Sequence, residues 1–473
     1  MKTIAEIRKD GYLKRLLLLS IPIVLSNLIS QLQMVIDRIF LGNYNDLYLS
    51  ALGNAMTPMW TTMSFCFSLA TGASILVSQA VGAKNEDQIE EYVGALVKWN
   101  NVIPVFLFFF WLFGAEFVFT LMGVSENLMP MCVTYSRFYA PVFLLCGAGG
   151  AMTVILQTSN YTVPLVIYGV VRSALNIVLD YVLIFGKFGF PEWGIKGAAI
   201  GTAIAEFIGA FVGIALVLFN KKLKTRPSLQ GIWRAKLKPY IISAKLGLNT
   251  ALEDFAWNIG NLVLIVILNT ISEKAAGIYS IIFSIEILAV VFVGGVGGGT
   301  MTLTSESTGK RDVRQYRGIN RCAYGVCLVV IVITLVACIV APEQIIGMFT
   351  KDNETITTSA IFLLCMSINL FSKSGNIIVG NAIRGSGNTR WMFCTQIFGT
   401  CFVISLGCLF VFVFKLGILG VFLAVLLDEF VRILINLWKY FRIVGKANSD
   451  SPEWREHKEN LRDDKTKSGG ICA

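Results

Sequence analysis

Gln157-Thr158-Ser159-Asn160-Tyr161-Thr162 closes one long apolar run, and Arg384-Gly385-Ser386-Gly387-Asn388-Thr389 closes another 227 positions later (157 to 384). The same offset carries Gly82-Ala83-Lys84 onto Gly309-Lys310-Arg311. Further along, Gly194-Ile195-Lys196-Gly197 is answered by Gly417-Ile418-Leu419-Gly420, and Glu206 by Glu429, both at an offset of 223 (206 to 429). The chain therefore reads as two similar halves. Duplicated membrane halves are how alternating-access transporters are built, because two like bundles can rock about a shared cavity.

Composition agrees with a membrane chain. The 473 residues are 55% hydrophobic and 15% charged, where a soluble domain carries about 25% charge. The charge gathers in short clusters, and the apolar runs between them reach about 20 residues or more, enough to cross a bilayer. These runs are continuous rather than alternating, which points to helices and away from a β-barrel. The net charge of +10 lies in loops, so it is not read as a nucleic-acid patch. Most of the eleven cysteines lie inside spans as small apolar residues, with no secreted-type disulfide framework. The single histidine, His457, lies in the polar tail. Histidine catalysis or a histidine metal site in the membrane is thereby excluded, and with no paired catalytic motif in view an intramembrane enzyme is not expected. The first apolar run is long and lacks a small-residue cleavage site, so no cleavable signal peptide is expected.

The fold class expected is an all-α polytopic membrane protein with twelve transmembrane helices in two pseudo-symmetric six-helix bundles. The spans fall at about 15–40, 50–82, 92–118, 130–156, 163–186, 195–219, 240–269, 276–308, 318–341, 355–384, 391–414 and 418–442. Lys and Arg crowd one set of loops, including Lys84, Lys224, Arg226, Lys310, Arg311 and Arg390, whereas the opposite loops hold only Lys187, Lys196, Lys274, Lys351 and Lys415. By the positive-inside rule both termini are cytoplasmic. The domains expected are an N-terminal lobe at 1–219, a basic cytoplasmic linker at 220–239 bracketed by Pro227 and Pro239, a C-terminal lobe at 240–443, and a polar cytoplasmic tail at 444–473.

Each ionisable group in mid-span costs roughly 2.5–3.5 kcal/mol on insertion scales, so each demands a reason. The first half carries Asp37, Arg172, Asp180 and Glu206. Arg172, Asn176 and Asp180 are spaced by four and stack on one helix face. Asp37, Asn176, Asp180 and Thr202 fall at similar depth, toward the outer side. Their oxygens suit sodium, or one carboxyl can hold a proton; equally, the carboxylates can serve a structural network with Arg172. Pro22 interrupts helix 1 fifteen residues before Asp37, freeing a backbone carbonyl and permitting a bend.

The second half carries Glu253, Asp254, Glu286 and Lys373, a possible polar site. A lysine deep in the membrane needs a carboxylate, and these three acids are the candidates. Adjacent residues point differently on a helix, so Glu253 and Asp254 are not expected to face one cavity centre. Asp428 and Glu429 are read as structural counterparts of Glu206. The cluster Gly294, Gly295, Gly297, Gly298, Gly299 is read as close helix packing, since no phosphate-loop GK[ST] follows it. Met34, Met56, Met59, Trp60, Met63 and Phe65 either line a cavity for varied apolar substrates or simply pack.

Several of these motifs are shared with one known family. Asn176-Ile-Val-Leu-Asp180-Tyr-Val-Leu-Ile-Phe-Gly, the following Gly194-Ile-Lys-Gly-Ala-Ala-Ile-Gly-Thr202, Ser78-Gln79-Ala80-Val81-Gly82-Ala83 and Arg384-Gly385-Ser386-Gly387-Asn388-Thr389-Arg390 resemble the multidrug and toxic-compound extrusion (MATE) family over roughly residues 12–443. The resemblance implies secondary antiport of organic cations or other amphipathic small molecules against Na+ or H+, by a monomer in a prokaryotic plasma (inner) membrane, with no cofactor and no nucleic-acid partner. It implies a cation site at Asp37, Asn176, Asp180 and Thr202, which would also hold the metal ion if sodium is coupled, and a bend at Pro22. Trp257 and Lys373 stand where one branch of the family has carboxylates, which favours the N-terminal lobe for coupling. A lipid-linked saccharide flippase of the wider superfamily is the alternative; such proteins often have a strongly basic cavity, and here only Lys373 and Arg172 are obvious.

Overall fold

The computed structural model describes residues 11–220, 223–349 and 352–448. Lys221 and Lys222 of the linker, Lys351, and the tail from 449 onward with His457 lie outside the described residues. Among the described residues the chain is helical throughout, with no strand. The twelve long helices are α1 Tyr12–Tyr44, α2 Asp46–Gly82, α3 Glu86–Leu121, α4 Met129–Thr158, α5 Val163–Ile184, α6 Gly194–Phe219, α7 Leu237–Ile271, α8 Glu273–Gly309, α9 Val313–Val340, α10 Asn353–Gly385, α11 Thr389–Val413 and α12 Gly417–Asn448. Short helices at Leu229–Arg234 and Pro342–Gly347 lie between them. The first eleven long helices are both long and apolar enough to cross a membrane. The twelfth is long enough at 32 residues, but Asp428, Glu429 and Arg432 interrupt its apolar stretch.

Large apolar side chains such as Phe113, Phe211 and Ile333 stay uncovered by protein, as a surface facing hydrocarbon requires. The sequence repeat is a repeat of turns as well. Lys84 and Arg311, 227 apart, both take the left-handed conformation with φ of 56°. Each ends its helix by the same pair of bonds: Lys84 N to Val81 O and Asn85 N to Ala80 O, Arg311 N to Thr308 O and Asp312 N to Ser307 O. These bonds satisfy helix carbonyls that the helix itself leaves free. Asp312 then caps α9, its side chain accepting from the backbone N–H of Gln315 at 2.9 Å.

The chain forms two compact units. Among the described residues, one holds those within 21–77 and 86–252, and the other those within 11–20, 78–85 and 253–448. The first packs around Met59, Trp111, Phe119 and Phe143, with the Trp111 indole donating to Thr62 at 3.0 Å. In the same unit α2 meets the start of α7 backbone to backbone: a Cβ on Gly72 would lie 1.9 Å from the carbonyl oxygen of Ser243, and one on Gly247 would lie 2.3 Å from that of Leu69.

The second unit contains a reciprocal contact between the ends of α2 and α8. A Cβ on Gly82 would lie 2.1 Å from the Glu306 carbonyl oxygen, and one on Gly309 would lie 1.9 Å from that of Gln79. Gly82 and Gly309 are repeat images, as are Gln79 and Glu306. Side chains tie the same place together: Glu306 pairs with Arg15 and Lys310, and Gln79 donates to the Gly385 carbonyl at 3.0 Å. Of the five glycines in the α8 cluster, Gly297 and Gly299 make close approaches, to Asn381 and Ser20, while Gly294 and Gly298 face open space.

Alanine at Gly82 or Gly309 must push two backbones apart. Thermal unfolding of the purified protein should show each substitution destabilising by about 1–3 kcal/mol, the usual range for overpacking. G277A, whose added Cβ meets nothing within 4 Å, should be neutral or slightly stabilising.

Candidate functional site

The site begins with a glycine face. Gly197, Gly201, Gly209 and Gly213 of α6 turn toward α5 and its neighbours, where a Cβ would meet the Leu183 carbonyl oxygen at 2.4 Å, Asp180 Oδ1 at 2.5 Å, Arg172 Cβ at 3.0 Å and Met152 Sδ at 2.4 Å. Bare backbone on α6 lets α5 come close. The Asp180 carboxylate is thereby pressed against Gly201 and fully buried, and Asn176, one turn earlier, is fully buried as well.

Asn176 Nδ2 donates to Asp180 Oδ1 at 3.3 Å and to Thr202 Oγ1 at 3.1 Å, while Thr202 donates to the Ala198 carbonyl at 2.9 Å. Asp37 of α1 reaches this group, its carboxyl lying beside Asp180 and Gln33. Gln33 is held by Ser173, which donates to its Oε1 at 2.9 Å. Asp37, Asn176, Asp180 and Thr202, read from the sequence as one set, thus stand together. Asp37 Oδ1, Asp180 Oδ2 and Asn176 Oδ1 are buried with no hydrogen-bond partner. Oxygens of this kind, two of them on carboxylates, suit a hard cation such as Na+, or a proton shared between the acids.

Arg172 does not neutralise this pair by direct contact. Its guanidinium donates to Glu206 at 2.8 Å and to Ser30 at 2.7 Å, and Tyr168 donates to the second Glu206 oxygen at 2.9 Å. The structural network expected of Arg172 therefore runs through Glu206, leaving Asp37 and Asp180 to each other. Gln33 was not singled out from the sequence; it lies four residues before Asp37, and that helical spacing was the available signal.

Asp37, Thr202, Arg172 and Glu206 open onto a chamber of about 250 Å³ inside this unit. Its other walls include Met34, Met56, Met63, Met152, Trp60, Phe67, Tyr135 and Tyr139. Met59 and Phe65, read with them from the sequence, do not line it; Met59 belongs to the buried core. The tyrosine hydroxyls donate only to sulfur, Tyr135 to Met56 at 3.4 Å and Tyr139 to Met63 at 3.6 Å. Thioethers are weak acceptors, so these hydroxyls remain available to a guest. Pro22 lies within α1, which continues unbroken past it.

The second-half residues separate into distinct pairs. Lys373 pairs with Glu286 at 2.9 Å, and Arg384 grips Glu253 through two nitrogens at 2.6 and 3.2 Å. Glu253, Asp254 and Lys373 line one chamber of about 270 Å³. Glu253 and Asp254 both line it, but the Glu253 carboxylate is turned onto Arg384. Asp428 and Glu429, read as structural counterparts of Glu206, both bind Arg432, at 3.2 and 2.6 Å, as Glu206 binds Arg172.

A family model described as MatE matches residues 22–182 and 250–409. A probable multidrug resistance protein NorM of Thermotoga maritima is 26% identical over 467 residues, covering 97% of each chain. A probable multidrug resistance protein YoeA of Bacillus subtilis is 24% identical over 463 residues, covering 93% of this chain and 95% of its own. Among solved structures, a MATE protein in a bent conformation superposes with a TM-score of 0.85 at 17% identity, covering 94% of this chain and 99% of that one. An outward-facing multidrug resistance MATE transporter gives 0.85 at 18% identity, covering 95% and 100%. The apolar helices, the two matched halves and these likenesses agree, and the chain belongs to the MatE family of membrane transporters.

Proposed function

We propose that this protein is a secondary multidrug efflux transporter, exchanging cationic or other amphipathic compounds for Na+ or H+ by alternating access. The observation that carries the reading is the adjacency of two features: buried acids with unsatisfied oxygens, and a methionine- and aromatic-walled chamber. Asp37 belongs to both. Flexible methionines and broad aromatic faces accept apolar bodies of varied shape, and Glu206 and Asp37 favour a positive charge on the guest.

In this mechanism the coupling ion enters the Asp37–Asp180 pair and neutralises it. Oxygens of Asp37, Asp180, Asn176 and Thr202 would hold Na+; a proton would sit between the two carboxyls. Neutralisation removes the attraction that held a cationic guest and changes how α1 packs around Pro22, which favours release outward. Ion and guest thus prefer different conformations, which coupling requires. The membrane potential adds about 2.3 kcal/mol per charge per 100 mV. In this reading the lobes 1–219 and 240–443 are the moving bodies and 220–239 joins them. The protein works as a monomer in the plasma (inner) membrane of a prokaryote, with both termini cytoplasmic.

Efflux from proteoliposomes, with sodium and pH gradients imposed separately, tests the coupling and names the ion. D37N should fold normally and lose gradient-driven efflux by roughly tenfold or more, the factor that corresponds to about 1.4 kcal/mol. Gradient-coupled transport at the wild-type rate in D37N would defeat the proposal. W60A removes aromatic wall from the chamber without touching the acids. Its apparent KM for an aromatic cation should rise about tenfold, as expected for losing about 1.5–3 kcal/mol of apolar contact, while the ion dependence stays unchanged.

A further inference from the structure

The C-terminal half contains a carboxyl that shares its counter-charge and keeps one buried oxygen without a partner. Arg432 of α12 serves three acceptors at once. One nitrogen contacts Asp428 at 3.2 Å and Glu429 at 2.6 Å, and another donates to Gln396 of α11. Glu429 is further satisfied by Asn376 of α10, which donates to it at 2.7 Å. Asp428 has no such second donor: its Oδ1 is buried without a partner, and the residue is only 5% exposed. Gly399 of α11 leaves the space that oxygen occupies, since a Cβ there would lie 2.7 Å from Asp428 Oδ1.

The neighbouring cations are already committed. On α10, Lys373 feels Asp428 electrostatically but is bonded to Glu286 of α8. From α7, Glu253 adds negative charge near Arg432 and is itself held by Arg384. From α11 the neutral residues Gln396, Gly399, Thr400 and Val403 face the group. One positive charge on α12 is thus shared by two adjacent carboxylates, so the trio of Asp428, Glu429 and Arg432 carries one negative charge in surplus. A small cavity of about 40 Å³ touches Asp428, Glu429, Arg432 and Lys373, more than the ~10–15 Å³ that a water needs. It borders the 270 Å³ chamber through the shared residues Glu429, Arg432 and Lys373.

We propose that Asp428 is a proton-binding site of the C-terminal half, separate from the Asp37–Asp180 pair, taking up a proton so that Arg432 can serve Glu429 alone. A proton fits better than a metal ion, because one free carboxylate oxygen beside a guanidinium offers too few ligands and a repelling charge. Nothing in the argument depends on the first-half acids being the coupling site.

Infrared difference titration of the purified full-length protein tests this through the carboxylic-acid C=O stretch. A titrating band should be present in the wild type, lost in D428N, shifted in D428E, and retained in a D37N/D180N background. Should D428N fail to assemble, D428E decides alone by whether the titration midpoint moves. Identical titrations of wild type and D428N, an unmoved midpoint in D428E, or a band abolished by adding Na+ at fixed pH would each overturn the proposal. Loss of the band in D37N/D180N would overturn its independence. Failure of D37N to alter transport would bear on the coupling reading and leave this one standing.

Discussion

A charge carried into a helical bundle surrounded by hydrocarbon must find an opposite charge, a set of dipoles or a proton. That constraint organises both halves of this protein. It decides which helices approach closely, since Asp180 is sheltered only because Gly201 presents bare backbone, and Asp428 only because Gly399 does the same. Where the pairing is complete, as in Arg384–Glu253, the group is architecture. Where oxygens are left without partners, the bundle is poised to accept something positive.

The two halves meet the constraint by different means. In the first, two acids from α1 and α5 face each other beside an oily chamber, with an amide and a hydroxyl completing the group. In the second, three cations are distributed among five acids, most of them lining the chambers there. A common ancestry in sequence has therefore kept the turns and lost the chemistry: Lys84 and Arg311 share a backbone conformation to the degree, while Arg172 of α5 has no basic counterpart at the matching place in α11.

Much of this was legible in the chain. Apolar runs between charge clusters located all twelve long helices, because hydrocarbon thickness fixes their minimum length and leaves little freedom. Spacing by four put Asn176 and Asp180 on one face, and depth bookkeeping added Asp37 and Thr202. Sequence could state that Lys373 needs an acid but could not choose Glu286 over Glu253, because that choice depends on which helices touch. The hub role of Arg432 was half legible: Asp428 and Glu429 stand four and three residues before it on one helix, whereas Gln396 comes from α11 and depends on which helices touch.

The meeting of α2 and α8 has a consequence for origins. Gly82 abuts Glu306 while Gly309 abuts Gln79, so each residue touches the image of its own neighbour. Such reciprocity is the mark of an isologous interface, the kind two identical subunits make about a two-fold axis. Before the gene doubled, the single six-helix ancestor would have met its twin through this same bare patch of backbone, and fusion made a dimer's handshake permanent within one polypeptide.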